Sequence, residues 1–239
     1  MPIYLSPINL VLGFLLTISL PVSAQLPHPF KATYQAEIKG FSVTAQRSLS
    51  VRKDGLLELS FSARSLFAQI DESSRFNWLE GGQLQPQHYE YHRTGLGRDR
   101  HAKLSFDWPA LTVTNDVQDK AWKMALPAQA QDKLSYQLQL RHDLINQRTD
   151  MQYEVADGGK LKTYGFELLG HEVLSTPLGA FNTVKVKRFR AHSDRQTIIW
   201  LAQDWDHLII RIQHTSKDGK DYEISLSEAQ VNGRTVKGL

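Results

Sequence analysis

Three histidines in the middle of the chain have a spacing that could hold a metal ion. His88 and His92 are four residues apart, so on a β-strand their side chains share one face, and His101 follows on a neighbouring predicted strand. Imidazole nitrogen is a common zinc ligand, but these histidines have no carboxylate partner at a known ligand spacing. The favoured interpretation is therefore a solvent-facing stripe opposite Tyr89 and Tyr91, and we predict no metal site.

A second polar cluster, Asp204, Asp206 and His207 beside Trp205, has the residue types of general acid–base catalysis. Such catalysis needs pKa values shifted by the surroundings, which residue order does not reveal. A polar turn between two apolar strands accounts for the same residues and is the favoured interpretation. The chain contains no nucleophile elbow, phosphate loop, HExxH motif or dinucleotide fingerprint. We predict no catalytic residue, and the sequence leaves open whether the protein is an enzyme.

Large aromatic side chains are concentrated in the predicted middle strands. Aromatic rings line many cavities for lipids and sugars, and they fill protein cores even more often. The candidate ligand-binding residues are Trp78, Tyr89, Tyr91, Phe106, Trp108 and Trp122. They are the one feature of the sequence that points to a ligand.

The charge and cysteine content exclude several classes of protein. The formal net charge is only +3, and basic residues alternate with acidic ones along most of the chain, so we predict no nucleic-acid partner. The absence of cysteine excludes disulfides, thiolate catalysis and thiolate-bound zinc or iron–sulfur clusters. It also excludes a lipidated N-terminal cysteine. No cofactor is predicted.

The N-terminus has the pattern of a secretory signal. The apolar run Ile8–Leu20 is followed by the small residues Val22–Ala24, which suit a signal peptidase. A transmembrane anchor is the alternative, but the run is shorter than the ~20 residues that span a bilayer. We therefore predict that residues 1–24 are a cleaved signal peptide, and that residues 25–239 form a single β-rich domain in the periplasm that does not span the membrane.

Hydrophobic residues alternate with polar ones through most of the mature chain, as in Leu104, Phe106 and Trp108. This period of two is typical of half-buried strands, and short turns between them favour antiparallel neighbours. The segments Lys160–Leu169 and Glu172–Ser175 are predicted as separate strands. The sequence thus predicts an all-β, mainly antiparallel fold, either a curved sheet or a partly open β-barrel.

One segment has helical rather than strand periodicity. Asp132 is a suitable N-terminal cap for a helix that runs to about Asn146 and contains no Gly or Pro. Two stripes of mainly apolar residues run along it. The first consists of Leu134, Leu138, Arg141 and Ile145, and the second of Tyr136, Leu140 and Leu144. Two stripes predict a helix that packs along the sheet or caps the mouth of a barrel.

Several stretches together resemble a bacterial family of exported proteins catalogued as domain of unknown function 3108, over about residues 30–226. The segments that carry the resemblance are Gly170–Val186 with its Thr-Pro-Leu-Gly turn, Arg195–Ala202 with Trp200, Tyr153–Lys160 and Leu138–Leu144. The resemblance implies an exported β-rich protein and no particular activity. The turn itself predicts that Gly179 is structural, either at the fourth position of the turn or in a following position of positive φ.

Three functions remain open. The favoured hypothesis is a periplasmic binding or chaperone-like module whose curved sheet holds an apolar or amphipathic envelope component, such as a lipid, lipoprotein or glycan. The first alternative is an envelope carbohydrate-active or hydrolytic enzyme with an unrecognised site. The second is a structural partner in an envelope complex. An apolar cavity favours the binding module, and carboxylates that converge in a cleft favour the enzyme. A broad exposed apolar patch without a cavity favours the structural partner.

Overall fold

The structure is a computed structural model that describes residues 26–38, 40–95, 97–189, 196–215 and 221–239. The predicted signal peptide, residues 1–24, lies outside these ranges. Within them, no helix combines the length and the apolar character needed to cross a bilayer.

Fifteen strands occur in the described ranges, and they form one sheet in which neighbouring strands are antiparallel. The strands are β1 Phe30–Ile38, β2 Phe41–Val51, β3 Leu57–Arg64, β4 Ala68–Trp78, β5 Leu84–Gly95, β6 Arg100–Asp107, β7 Thr112–Val117, β8 Lys120–Ala125, β9 Met151–Asp157, β10 Lys160–Thr176, β11 Gly179–Phe189, β12 Gln196–Ala202, β13 Leu208–Thr215, β14 Asp221–Val231 and β15 Arg234–Thr235. Their order is β8-β7-β6-β5-β4-β3-β2-β1-β14-β13-β12-β11-β10-β9, and β15 pairs with β14. The mainly antiparallel all-β prediction is confirmed.

The sheet curls around its core without closing, since the edge strands β8 and β9 share no ladder in the described residues. The segment after β8 bridges part of the opening. The backbone amide of Gln131 donates to the Glu154 carbonyl at 2.8 Å, and its side-chain Nε2 donates to the Leu84 carbonyl at 2.9 Å. Trp122 of β8 also packs so closely on Gly159 that a Cβ there would overlap the indole ring. The partly open barrel is confirmed.

One helix, α1 (Ser135–Ile145), is present in the described part of the chain, and it begins later than the predicted start at Asp132. Asp132 instead caps the turn that leads into the helix, because its Oδ1 accepts from the amides of Leu134 at 2.8 Å and Ser135 at 2.9 Å. The helix is buried on most of its sides. It packs inside the curve of the sheet.

The polar residues of α1 are bonded wherever they are buried. Gln139 accepts from the Leu84 amide at 2.8 Å, and the Arg141 Nε donates to the Asp206 carbonyl at 2.9 Å. Asp143 accepts from the Tyr153 hydroxyl at 2.7 Å. These bonds join the helix to three separate parts of the sheet and its loops, and they offset the cost of burying polar groups.

The strand β10 runs unbroken from Lys160 to Thr176, so the prediction of two separate strands there is wrong. The ladder with β11 shifts register between Leu168 and Gly170, and Gly170 has a φ of 130°. A bulge absorbs the break in alternation without ending the strand. At the next turn Gly179 has a positive φ of 113°, and a Cβ there would lie 2.8 Å from the backbone of Gly238.

Candidate functional site

The inner face of the sheet has two parts with different packing. In the first, which we call the filled half, large side chains meet one another and α1; its strand residues include Phe30, Leu49, Leu59 and Phe76. In the second, the open half, each of the same four strands contributes an alanine to the lining of a cavity; these are Ala36, Ala45, Ala63 and Ala68. Larger residues of these strands, such as Phe41 and Ile70, line the same cavity.

The small residues of the open half leave a cavity of about 780 Å³ that opens to solvent. Ala45 lies opposite Ala63 across the β2–β3 ladder, and Ala63 lies opposite Ile70 on β4. The far walls come from other elements and are mostly apolar or aromatic; among their residues are Leu134, Tyr136, Tyr164, Ile212, Tyr222 and Ile224. The volume and apolar lining are those of a typical small-ligand site.

The rim of this cavity carries exposed apolar side chains from two hairpins. Phe41 begins β2, and Leu66 and Phe67 lie in the turn between β3 and β4. The Phe41 and Phe67 rings meet edge to face with their centroids 5.1 Å apart, yet these side chains remain 46% and 49% exposed. Leu66 is 79% exposed. An apolar rim around an apolar cavity lowers the cost of bringing a hydrophobic chain to the opening.

Polar groups at the boundary of the two halves are paired with one another. Glu72 points inward from β4, accepts from the Tyr89 hydroxyl at 2.6 Å and lies 3.4 Å from the Lys133 ammonium. That ammonium also lies 4.9 Å from the centre of the Tyr91 ring. Burial raises the pKa of Tyr89, which keeps this hydroxyl a donor. The charge of Glu72 is thus neutralised inside the wall.

A second buried carboxyl group, Asp132, lies deeper beside α1. The Ser74 hydroxyl donates to its Oδ2 at 2.5 Å, and two backbone amides bond its Oδ1. Burial nevertheless raises the pKa of Asp132 to about 6. With both carboxylate oxygens bonded by neighbours, this group holds the turn before α1.

Arg47 is the charged residue of the cavity wall that lacks a hydrogen-bonding partner. It points inward from β2, opposite Phe61 on β3, and its Nε is buried without an acceptor in the described residues. The same ranges place no carboxylate within ion-pair distance of it. Arg141 is close enough that burial and the Arg47 charge together lower the pKa of Arg141 to about 10. Two guanidinium groups therefore make the inner end of the cavity electropositive.

The other charged groups around the cavity are satisfied. Arg188 donates to the Tyr136 hydroxyl at 3.3 Å and to the Thr197 hydroxyl at 3.3 Å. Arg64, at the rim, lies 3.5 Å from the Asp71 carboxylate. Arg47 is set apart from them by its unsatisfied donor.

The six aromatic residues predicted to bind a ligand lie outside this cavity. Trp78 meets His142 of α1 edge to face, with ring centroids 5.0 Å apart. Phe106 stacks on Trp108, whose indole nitrogen donates to the Pro86 carbonyl at 2.6 Å. Tyr89 and Tyr91 contact the Glu72–Lys133 pair, and Trp122 packs on Gly159. These residues fill or cover the core next to the cavity, and their role in ligand binding stays a prediction.

The histidines of the candidate metal site lie on the outer face. His92 and His101 are directly opposite one another on β5 and β6, and the His101 Nε2 lies 3.2 Å from the Asp119 carboxylate. His88 pairs with Ser105, further along the same ladder. Across the described ranges, no three His, Asp or Glu side chains are grouped closely enough to hold a metal ion.

The acid–base candidates form the turn between β12 and β13. Asp204 accepts from the Asn182 amide at 3.2 Å, and Asp206 lies 2.6 Å from the His28 Nδ1. His207 is 8% exposed, and burial, aided by the Arg141 charge, lowers its pKa to about 4. The imidazole is therefore neutral near pH 7. This turn closes the filled half next to Arg141, and its residues do not line the apolar cavity.

A further groove of about 990 Å³ crosses the outside of the sheet. Its side chains are mainly outward-facing and of both charges; they include Lys31, Asp71, Glu90, His92, Lys103 and Glu228. Opposite charges alternate along it, as on an ordinary solvated sheet surface.

Sequence reasoning missed the residues of the open half. Alanine carries no chemical signal, and Ala45 and Ala63 count as ordinary core positions in a hydrophobic alternation. Side-chain size gives no signal, because Ala32 lies in the core whereas Tyr34 and Ile38 of the same strand line the cavity. The inward arginine at position 47, in the middle of an apolar alternation, was the available signal.

The fold and the site define a β-barrel-like protein with an internal apolar cavity. A family model described as "Protein of unknown function (DUF3108)" matches residues 30–227, and the chain belongs to that family. The resemblance seen in the sequence is thereby confirmed. No protein of the curated set shows significant similarity to the chain.

Comparison with solved structures supports the architecture. A β-barrel-like protein of the domain of unknown function DUF1849 from Brucella abortus aligns with a TM-score of 0.59 at 8% identity, covering 85% of this chain and 98% of that chain. MucB, solved in complex with MucA(peri), aligns with a TM-score of 0.34 at 12% identity, over 85% of this chain and 50% of that one. A Bacteroides fragilis protein with a YmcC-like fold gives a TM-score of 0.28 at 10% identity, over 90% and 98%. The TM-scores of 0.34 and 0.28 are too low to show that these two proteins share the fold of this chain.

Proposed function

We propose that the protein is exported to the periplasm and binds the apolar chain of an amphipathic envelope component in the cavity of the open half. The observation that supports this proposal is the cavity itself, which has a volume of about 780 Å³ and a mainly apolar lining. Apolar area left in water is unfavourable by about 25 cal/mol per Å². A ligand chain that covers the lining removes that cost.

A lipid or the acyl chain of a lipoprotein suits this lining better than a glycan does. Sugars need several converging hydrogen-bonding groups, whereas the inner walls here are formed mainly by alanine, isoleucine, phenylalanine and tyrosine. The charged residues among them are bonded to neighbours, apart from Arg47. The tyrosine hydroxyls are partly occupied, since Tyr34 donates to the Ile209 carbonyl at 3.0 Å and Tyr164 to Asp157 at 3.0 Å. The exposed rim of Phe41, Leu66 and Phe67 also favours an apolar chain.

Binding of a fatty-acid probe with an environment-sensitive fluorophore tests this function. We expect saturable binding to the wild-type protein, and at least a tenfold loss, equivalent to ~1.4 kcal/mol, in Ala63→Trp, which places an indole inside the cavity. Ser62→Trp is the matched control, because Ser62 directly precedes Ala63 on β3 and faces outward. It should bind as the wild type does.

Thermal melting establishes that each variant is folded, and Ala45→Trp provides a second cavity-filling change on the adjacent strand. Absence of saturable binding by the wild-type protein would refute the proposal. Equal binding by wild type and both cavity-filling variants would place the probe elsewhere and would refute the assignment to this cavity.

Export is tested separately. The signal pattern predicts that the protein recovered from the periplasm begins at Gln25. N-terminal sequencing should return that residue. Recovery of the chain with Met1 intact in the inner-membrane fraction would contradict export through a cleaved signal.

A further inference from the structure

We infer that the ligand is a single-chain amphiphile with an anionic head group, and that it binds head first, with its anion at Arg47 and its chain directed to the rim at Phe41 and Phe67. This inference rests on the proposed function, and it names the class of ligand and its orientation. Three observations carry it: an unsatisfied arginine, the surrounding charge and the length of the cavity.

The first observation is the unsatisfied donor at Arg47. Its Nε is buried and donates to no acceptor in the described residues, although the side chain lines the cavity. A buried donor without a partner costs free energy, and the cost is larger when the group is charged. A carboxylate or phosphate oxygen at this position would accept that hydrogen and form a charge-assisted bond. A neutral apolar chain would leave the cost in place.

The second observation is the balance of charge around Arg47. Arg141 lies nearby on α1, where its Nε bonds a neutral carbonyl of Asp206 and its guanidinium lies 4.9 Å from the centre of the Phe30 ring. The nearest inward carboxylate along the register row, Glu72, is neutralised by Lys133 and Tyr89. The Asp206 carboxylate partly offsets the charge of Arg141, whereas Arg47 has no carboxylate within ion-pair distance in the described residues. Like charges repel, so an anion bound beside Arg47 stabilises both guanidinium groups.

The third observation is the distance from Arg47 to the rim. Both Arg47 and Phe41 face inward on β2, and six residues of strand span about 20 Å. The hydrocarbon of one membrane leaflet is about 15 Å thick, half of the ~30 Å bilayer core. One acyl chain whose head reaches Arg47 therefore fits between that residue and the exposed aromatic rim. A head group left at the rim would instead face Phe41 and Phe67, and the cation there, Arg64, is already paired with Asp71 at 3.5 Å.

The test compares ligands that differ in the head group alone. Palmitate, hexadecanol and a monoacyl phosphate of equal chain length are titrated against the same fluorescent probe. For the wild-type protein we expect one or both anionic ligands to bind at least about tenfold more tightly than the alcohol, and the better anion identifies the source of the head group. Arg47→Met, which retains the apolar part of the side chain, should remove this preference and leave the affinity for hexadecanol within about twofold.

The matched control is Arg75→Met, because Arg75 faces outward on β4 and pairs with Glu58 at 2.9 Å. It should retain the preference for the anion. Equal affinity of the wild-type protein for acid, phosphate and alcohol, or an unchanged preference in Arg47→Met, would refute the inference while leaving the proposed function intact. Failure of all three ligands to bind would refute the proposed function itself.

Orientation is tested with palmitate labelled at either end. A fluorophore on the terminal carbon should remain accessible to iodide in the complex, whereas one on the carbon next to the carboxylate should be protected. The reverse pattern would show that the chain binds tail first, and would overturn the assignment of the anion to Arg47.

Discussion

The filled half and the open half are built from the same strands with the same alternation, and they differ in whether the inward residues meet close neighbours or line a cavity. At one end of β4, Phe76 is fully buried among large neighbours; at the other end, Ile70 lines the cavity. The helix α1 packs its leucines against the first region. The comparison shows that alternation determines which face of a strand is apolar, whereas packing across the sheet determines whether that face becomes a filled core or the wall of a cavity.

Buried polar groups without a partner in the described residues occur in both regions, and they differ in charge. In the core, Gln139 and Asp143 are bonded to partners, whereas the Trp78 Nε1 and the Asn115 Oδ1 are buried without one. Arg47, at the boundary with the open half, differs from these two because it carries a charge and lines the cavity. A buried group without a partner costs more free energy when it is charged.

The largest expected effect comes from truncating one residue of each half on the same strand. Phe76→Ala should lower the free energy of unfolding by about 4 kcal/mol, because it removes a ring from close-packed surroundings. Ile70→Ala should cost about 1 kcal/mol, because one side of that residue already faces the cavity. Denaturant unfolding measures both. Equal losses would mean that the open half is packed as tightly as the filled half.

A somewhat smaller effect is expected from acid, and it belongs to the filled half. His207 has a pKa near 4 in the folded protein against an ordinary value of 6.5, so folding favours its neutral form. This contribution is complete above pH 6.5 and is lost as the pH falls towards 4; the full shift corresponds to about 3 kcal/mol. His207→Asn, which tolerates the left-handed backbone at φ 55°, should remove that part of the acid sensitivity.

Comparison of the variant with the wild type isolates this effect from other groups. Asp132 contributes with the opposite sign, since its pKa is raised to about 6 and its protonated form is favoured in the fold. That contribution is present at low pH, is lost as the pH rises through 6, and is the same in both proteins. If the free energy of unfolding changes by the same amount in the wild type and in His207→Asn between pH 6.5 and pH 4, the account of His207 is contradicted.

The smallest expected effect comes from adding volume to each half. Ala32 is packed in the filled part of β1, and Ala32→Leu should destabilise by about 1–3 kcal/mol through overpacking. Ala63→Leu adds the same atoms to the open half and should change stability by less than about 0.5 kcal/mol, since the cavity accepts them. A large loss in Ala63→Leu would show that the cavity collapses in solution.

The sequence predicted the fold class well because alternation and turn residues are local signals. The antiparallel sheet and the helix near Asp132 both followed from them. The break near Gly170 was misread, because a bulge and a strand end look alike in one dimension. The cavity was missed for a different reason: whether Ala45 meets a large residue or empty space depends on Tyr136 and Ile224, which are distant in sequence and reach it only through the curl of the sheet.

The most direct test of the central claim is a crystal structure of the mature protein with palmitate that carries bromine on its terminal carbon. The account predicts an anomalous bromine peak near the rim at Phe41 and Phe67, with continuous chain density through the open half and the carboxylate bonded to Arg47. A peak at another place on the protein, or an empty cavity at saturating ligand, would contradict it.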